Sequence, residues 1–128
     1  MSIDPNKYLS LATALLHDGD FAGAEAAAAV VSDADPTLVE AWVVLALSWT
    51  RRKRHDRAVA PYLRALEQRP ESVELWADLG ECYLEIPDYN GAAAALKQAI
   101  ELDPNSDSPA GRRARALVGR TKSLLKKA

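Results

Sequence analysis

Imidazole and thiolate are the commonest protein ligands for transition metals, so the chain's two histidines and single cysteine are tested first. His17 and His55 stand far apart, and Cys82 has no second cysteine or histidine at the short spacing of a zinc site. The segment Asp103-Pro104-Asn105-Ser106-Asp107 opens like a calcium loop. Its sixth position is then Ser108 instead of the turn-making glycine, and its twelfth is Ala114 instead of a bidentate glutamate. No Gly-x-Ser-x-Gly elbow, phosphate loop or dinucleotide fingerprint occurs, and no pair of carboxylates is singled out by an apolar setting. The expectation is a protein without catalytic residues, metal or cofactor.

Charge is the next candidate for chemistry. Arg51-Arg52-Lys53-Arg54-His55-Asp56-Arg57 has the composition of a nucleic-acid or nuclear-localisation patch, but it falls on a turn, and it is read as a solvated turn. Residues 1–106 carry nine Lys+Arg against seventeen Asp+Glu, whereas residues 107–128 carry seven against Asp107 alone. The basic end lacks the interleaved aromatics of a single-strand binder, and its charge is expected to complement the acidic remainder at long range. Nucleic acid is not expected as a ligand; an acidic partner or nucleic acid on the basic end stands as the alternative reading.

These residues need elements to hold them. The 128-residue chain is 48% hydrophobic and 27% charged, with few aromatics, which suits one soluble domain of closely packed helices. The opening Met1-Ser2-Ile3-Asp4-Pro5 has no signal-peptide character, and apolar runs such as 26–31 are too short to span a bilayer. With one cysteine and hence no intrachain disulfide, a cytoplasmic location without membrane insertion is expected.

The organising pattern is a 34-residue period. Trp76, Leu79-Gly80, Tyr83, Ala92, Leu96, Ala99 and Pro104 recur as Trp42, Leu45-Ala46, Trp49, Ala58, Tyr62, Ala65 and Pro70. They recur again as Tyr8, Leu11-Ala12, Leu15, Ala24, Ala28, Val31 and Pro36. Offsets of three and four place each set on one helical face, and the small residues fall where two helices approach closely. Turns are predicted at Asp18-Gly19-Asp20, Lys53-Arg54-His55 and Ile86-Pro87-Asp88, and prolines separate the units. Thr37 with Glu40 is predicted to box the start of the third helix. Ser108 and Pro109 start a seventh helix over 109–126, with Ala110, Ala114, Leu117, Thr121, Leu124 and Leu125 on one face and basic residues elsewhere. Trp76 and Leu79 are predicted to be core residues.

This pattern resembles the tetratricopeptide repeat over residues 5–38, 39–72 and 73–106, with the third unit nearest the consensus. The resemblance implies a single all-α domain, a right-handed superhelix of three helix–turn–helix units plus a solvating C-terminal helix. It implies a non-catalytic adaptor or scaffold that binds a peptide or protein segment along first helices. The implied contact positions are Asn6, Leu9, Thr13, Leu16 and His17 in the first unit. In the second they are Glu40, Val43, Leu47, Thr50 and Arg51, and in the third Glu74, Ala77, Glu81, Leu84 and Glu85. Leu9, Thr13, Leu47, Ala77 and Glu81 stand where a carboxylate-gripping clamp would need Lys, Asn or Arg. An apolar floor with acidic walls then favours a partner with apolar anchors and basic flanks. Gly80-Glu81-Cys82-Tyr83-Leu84 and the Arg/Ala/Leu-rich last helix are also similar to chaperones of type III secretion translocator proteins. If the last helix does not cover the final repeat, self-association through Leu117, Leu124 and Leu125 is expected instead.

Overall fold

Helix placement follows the sequence rhythm. In the computed structural model, which describes residues 4–127, the helices are α1 Pro5–His17, α2 Phe21–Ala34, α3 Val39–Arg51, α4 His55–Gln68, α5 Val73–Glu85, α6 Tyr89–Leu102 and α7 Pro109–Lys127. First helices begin at 5, 39 and 73 and second helices at 21, 55 and 89, so both series step by 34. The chain is all-α: no strand occurs among the described residues. No helix among them is long and apolar enough to cross a membrane.

Caps explain most of the starts. The Asp20 and Asp88 carboxylates accept the backbone N–H of Gly23 and Gly91, each at 2.9 Å, and the Ser72 hydroxyl accepts that of Leu75 at 3.2 Å. The predicted Thr37–Glu40 box does not form. Asp35 draws the Thr37 hydroxyl and N–H to its own carboxylate, and α3 starts after Leu38 with no side-chain cap. Nor do prolines only separate units: Pro61 lies buried inside α4, its neighbours Tyr62 and Ala65 fully packed. There, packing holds a helix that local preference would break.

The chain forms two compact units, one running to Gln68 and one from Arg69. In the first, Ala12, Ala24, Ala27 and Ala28 let α1 and α2 approach closely, and Val44 and Leu45 of α3 pack into them. Leu15, Leu16, Ala29 and Trp42 border this cluster. In the second, Ala77, Leu96, Ala99 and Ala114 make the centre, bordered by Val73, Trp76, Ile100, Ala110, Leu117 and Val118. Gly80 is needed there, because a Cβ on it would lie 2.6 Å from Leu96 Cγ. Leu79 is buried as expected, but Trp76 is only half-buried. Its indole N–H reaches back to the Pro70 carbonyl at 2.8 Å, and Trp42 does the same to Pro36 at 2.9 Å. These tryptophans tie α3 and α5 to the loops before them while bordering the core.

The last helix repeats the device with another residue: Arg115 donates to the Pro104 carbonyl at 2.7 Å. Its neighbours are engaged as well, Arg112 with the Asp107 carbonyl at 3.1 Å and Arg113 with the Asp78 carboxylate. The calcium-like segment has a different task. Asp103 accepts the N–H groups of Asp107 and Ser108 and the Ser108 hydroxyl at 2.9, 3.0 and 2.6 Å, and Ser108 in turn caps Gly111 at 3.0 Å. The Ser108 hydroxyl above all holds the Asp103 carboxyl below its ordinary range. Ser108 thus caps α7 as its sequence suggested.

Asp78 shows the opposite balance. It faces α7 with a side chain 16% exposed, and burial pushes its carboxyl up to about 6 despite the Arg113 guanidinium beside it. Glu74 and Glu81 on its own helix push the same way. The folded value lies above the unfolded 3.8, so the proton favours folding. That contribution is complete below about pH 4 and is lost as pH rises through about 6. Between pH 4 and pH 7 wild type should therefore lose about 2–3 kcal/mol of stability relative to Asp78→Asn. Urea titrations at the two pH values check this; parallel changes in both proteins would show that Arg113 compensates the burial.

Candidate functional site

The first helices α1 and α3 touch within the first unit, and their turn-to-turn spacing sets the exposed side chains in two rows. On α1, Asn6 and Thr13 are exposed and Leu9 and Leu16 half-buried; on α3, Glu40 is exposed and Val43 and Leu47 half-buried. Thr13, Leu16, His17 and Arg51 line one open cleft of about 420 Å³. A second, of about 620 Å³, is lined by Leu9, Ser10, Thr13, Ala14, His17 and Asp18. The Thr13 hydroxyl donates to the Leu9 carbonyl at 2.9 Å, which leaves its methyl and oxygen lone pairs to the cleft.

Thr50 does not join this surface. Its hydroxyl donates to the Ala46 carbonyl at 2.8 Å and sits 3.4 Å from the Tyr62 phenol, which is 1% exposed. It serves the α3–α4 interface as a polar partner for a buried tyrosine.

The third repeat's share of the expected site changes more. Ala77 is fully buried in the cluster that Ala114 of α7 completes, and Leu84 is 5% exposed. A side chain closed off in a helix interface cannot meet a ligand, so both are corrected to core residues. Glu81 is half-buried beside Asp78, and Glu74 lines a cleft of about 470 Å³ with Ser108, Pro109, Ala110 and Arg113. The acidic side of α5 thus meets the basic start of α7.

Basic residues near the turn after α3 are less solvated than their run suggested. Arg52 and Arg57 lie over the Trp49 ring, 4.0 and 5.0 Å from its centre, and Arg52 pairs with Glu25 at 2.8 Å. Arg54 pairs with Asp56 at 3.3 Å. Arg51 points to the cleft instead, so the α1–α3 surface runs from acidic at Glu40 to cationic at Arg51.

Ser10, Ala14 and Asp18 were not among the expected contacts. The row Lys7, Ser10, Leu11, Ala14 is exposed, whereas its α3 counterparts Ala41, Val44, Leu45 and Ser48 are buried, α2 lying against α3. The signal was present as Lys7 and Ser10 at positions where α3 has Ala41 and Val44. Among the described residues no three of His, Cys, Asp and Glu gather to hold a metal.

Comparison with known proteins gives the same architecture. Two profiles described as tetratricopeptide repeat match residues 9–72 and 50–118. The SGT1 homolog of Oryza sativa subsp. japonica is 36% identical over 50 residues, 39% of this chain and only 14% of that protein. The Yersinia enterocolitica type III secretion chaperone SycD, solved with a peptide of the translocator YopD, superposes with a TM-score of 0.84 at 19% identity, over 96% of this chain and 94% of that one. The Sgt2 TPR domain of Aspergillus fumigatus does so with 0.80 at 21% identity, over 98% and 82%. At these identities the solved structures establish a shared fold.

Proposed function

The chain belongs to the tetratricopeptide repeat family, and from that premise we propose that it is a non-catalytic adaptor whose α1–α3 surface holds a segment of a partner protein. The observation that carries this reading is the pairing of two first helices around open clefts, with Leu9, Leu16, Val43 and Leu47 half-buried and therefore able to bury more. Apolar anchors on these leucines supply most of the affinity, at roughly 25 cal/mol per Å² removed from water. Glu40 takes a basic flank of the segment, and the cationic end at Arg51 sets its direction. The three repeats 5–38, 39–72 and 73–106 with the helix over 109–126 are read as one domain, working in a reducing cytoplasm that suits the buried Cys82.

A pull-down from the native cell, with mass spectrometry of the bound proteins, supplies the partner. Leu47→Glu places a charge in the middle of the surface, and it should weaken that partner at least about tenfold while leaving the helical circular dichroism unchanged. Normal binding by Leu47→Glu would remove the α1–α3 surface as the site. A second reading, favoured by the fold shared with SycD, is that the partner is a secreted translocator. A gene for a larger secreted protein beside this one would separate that reading from a general adaptor.

A further inference from the structure

A second cleft lies in the other unit. Between α6 and α7 a groove of about 310 Å³ is lined by Ala93, Ile100, Val118 and Leu125 along its floor, with Lys97, Glu101 and Lys122 at its edges. Leu125 is 38% exposed, so the groove has an apolar rim open to solvent. Thr121 turns its hydroxyl away, donating to the Leu117 carbonyl at 2.7 Å, and offers the groove only its methyl side.

On its α7 side the groove carries positive charge only. The first half of α7 spends Arg112, Arg113 and Arg115 on contacts inside the chain. The second half carries Arg120, Lys122, Lys126 and Lys127 with no acidic residue, and none of the ion pairs found among the described residues involves them. On α6, Lys97 and Glu101 face each other at 4.0 Å and cancel. An apolar furrow between two helices, with the unpaired Lys122 on its α7 edge and Lys126 one turn further along, is complementary to a helix with an apolar stripe and an acidic shoulder. Its concave floor fits side chains better than the flat surface of a bilayer does.

We infer that the α6–α7 groove is a second protein-docking site, which takes an acidic amphipathic helix of a partner and works independently of the α1–α3 surface. The occupant's apolar residues at i, i+3, i+4 and i+7 rest on Ile100, Val118 and Leu125. Its carboxylates lie over Lys122 and Lys126.

The test uses the full chain and a fluorescein-labelled model peptide, an 18-residue helix with Leu at those spacings and Glu on both shoulders. Its counterpart has Lys in place of every Glu. Fluorescence anisotropy should show saturable binding of the Glu peptide, weakened several-fold between 50 and 300 mM NaCl, because such contacts are screened beyond about 10 Å at 0.1 M salt. The Lys peptide should bind at least about tenfold more weakly. Leu125→Glu with Lys122→Glu should lower affinity for the Glu peptide by at least about tenfold, whereas Leu47→Glu should leave it unchanged. Equal binding of the two peptides, or an undiminished affinity in the double variant, overturns the inference. So does loss of the peptide with Leu47→Glu, which would mean one shared site. Sedimentation of the chain with phosphatidylserine vesicles, with no peptide binding, would also overturn it and make α7 a membrane-surface helix.

Discussion

Leu96→Ala should destabilise the second unit by about 2–5 kcal/mol, the range for removing a fully enclosed leucine. Leu96 has no exposed surface and sits against Gly80, at the centre of the cluster formed by Ala77, Ala99 and Ala114. The void left by its missing carbons is bounded by helices whose small residues are already in contact, so little collapse is available. Gly80→Ala attacks the same contact from the other side, placing its Cβ 2.6 Å from Leu96 Cγ, and should cost about 1–3 kcal/mol by overpacking. The double variant should be less destabilised than the sum, because the new methyl group occupies part of the space the leucine leaves. Urea unfolding followed by circular dichroism reads all three. Leu63→Ala, 42% exposed on α4, is the control and should change stability by no more than about 0.5 kcal/mol. Strict additivity would mean that Gly80 and Leu96 do not share one packing site.

Ending the chain after Asp107 should unfold most of the second unit and leave the first unit's core intact. Without α7, the cluster loses Ala114 and the bordering Ala110, Leu117 and Val118, and Asp78 loses Arg113. At about 1 kcal/mol for each of these four partly or wholly buried apolar side chains, the loss is on the order of 4 kcal/mol. That is comparable to the whole stability of a unit this small. Hydrogen exchange separates the outcomes: amides of α5 and α6 should lose protection while those of α2 and α3 keep it. Unchanged protection in α5 and α6 would make α7 an appendage of the unit instead of a part of its core.

The repeats were legible because the 34-residue spacing repeats large, small and helix-ending residues together, and each of those choices has a local physical reason. Where the sequence misled, one residue type served two environments. Ala77 occupies a position that lines an open face elsewhere in the chain, yet Ala114 of α7 joins the same core cluster, so its side chain is enclosed; Leu84 is buried as well. Thr50 looked like a surface hydroxyl, and only the position of Tyr62 across the α3–α4 interface shows that it turns inward. The capping box at Thr37 was lost to Asp35 two residues earlier, a competition that spacing rules do not rank. Arginines were the hardest to read. Arg52, Arg113 and Arg115 have the same composition signal as Arg120, but each reaches a specific acceptor that the fold alone brings into range.

The carbonyls of Pro36, Pro70 and Pro104 each receive a side-chain N–H from the helix that follows, from Trp42, Trp76 and Arg115. In genetic terms, acceptor and donor belong to successive units, so a tandem copy of unit 39–72 or 73–106 brings a donor, Trp42 or Trp76, near its start and an acceptor, Pro70 or Pro104, at its end. The new junction has both halves of its bond in the first generation, before any compensating mutation. At the last junction Ala110 stands where the second and third repeats have tryptophan and Arg115, five residues further on, supplies the N–H: the acceptor asks for a donor of sufficient reach and accepts different side chains that supply it. A gene built this way can lengthen or shorten by whole units while each joint stays closed.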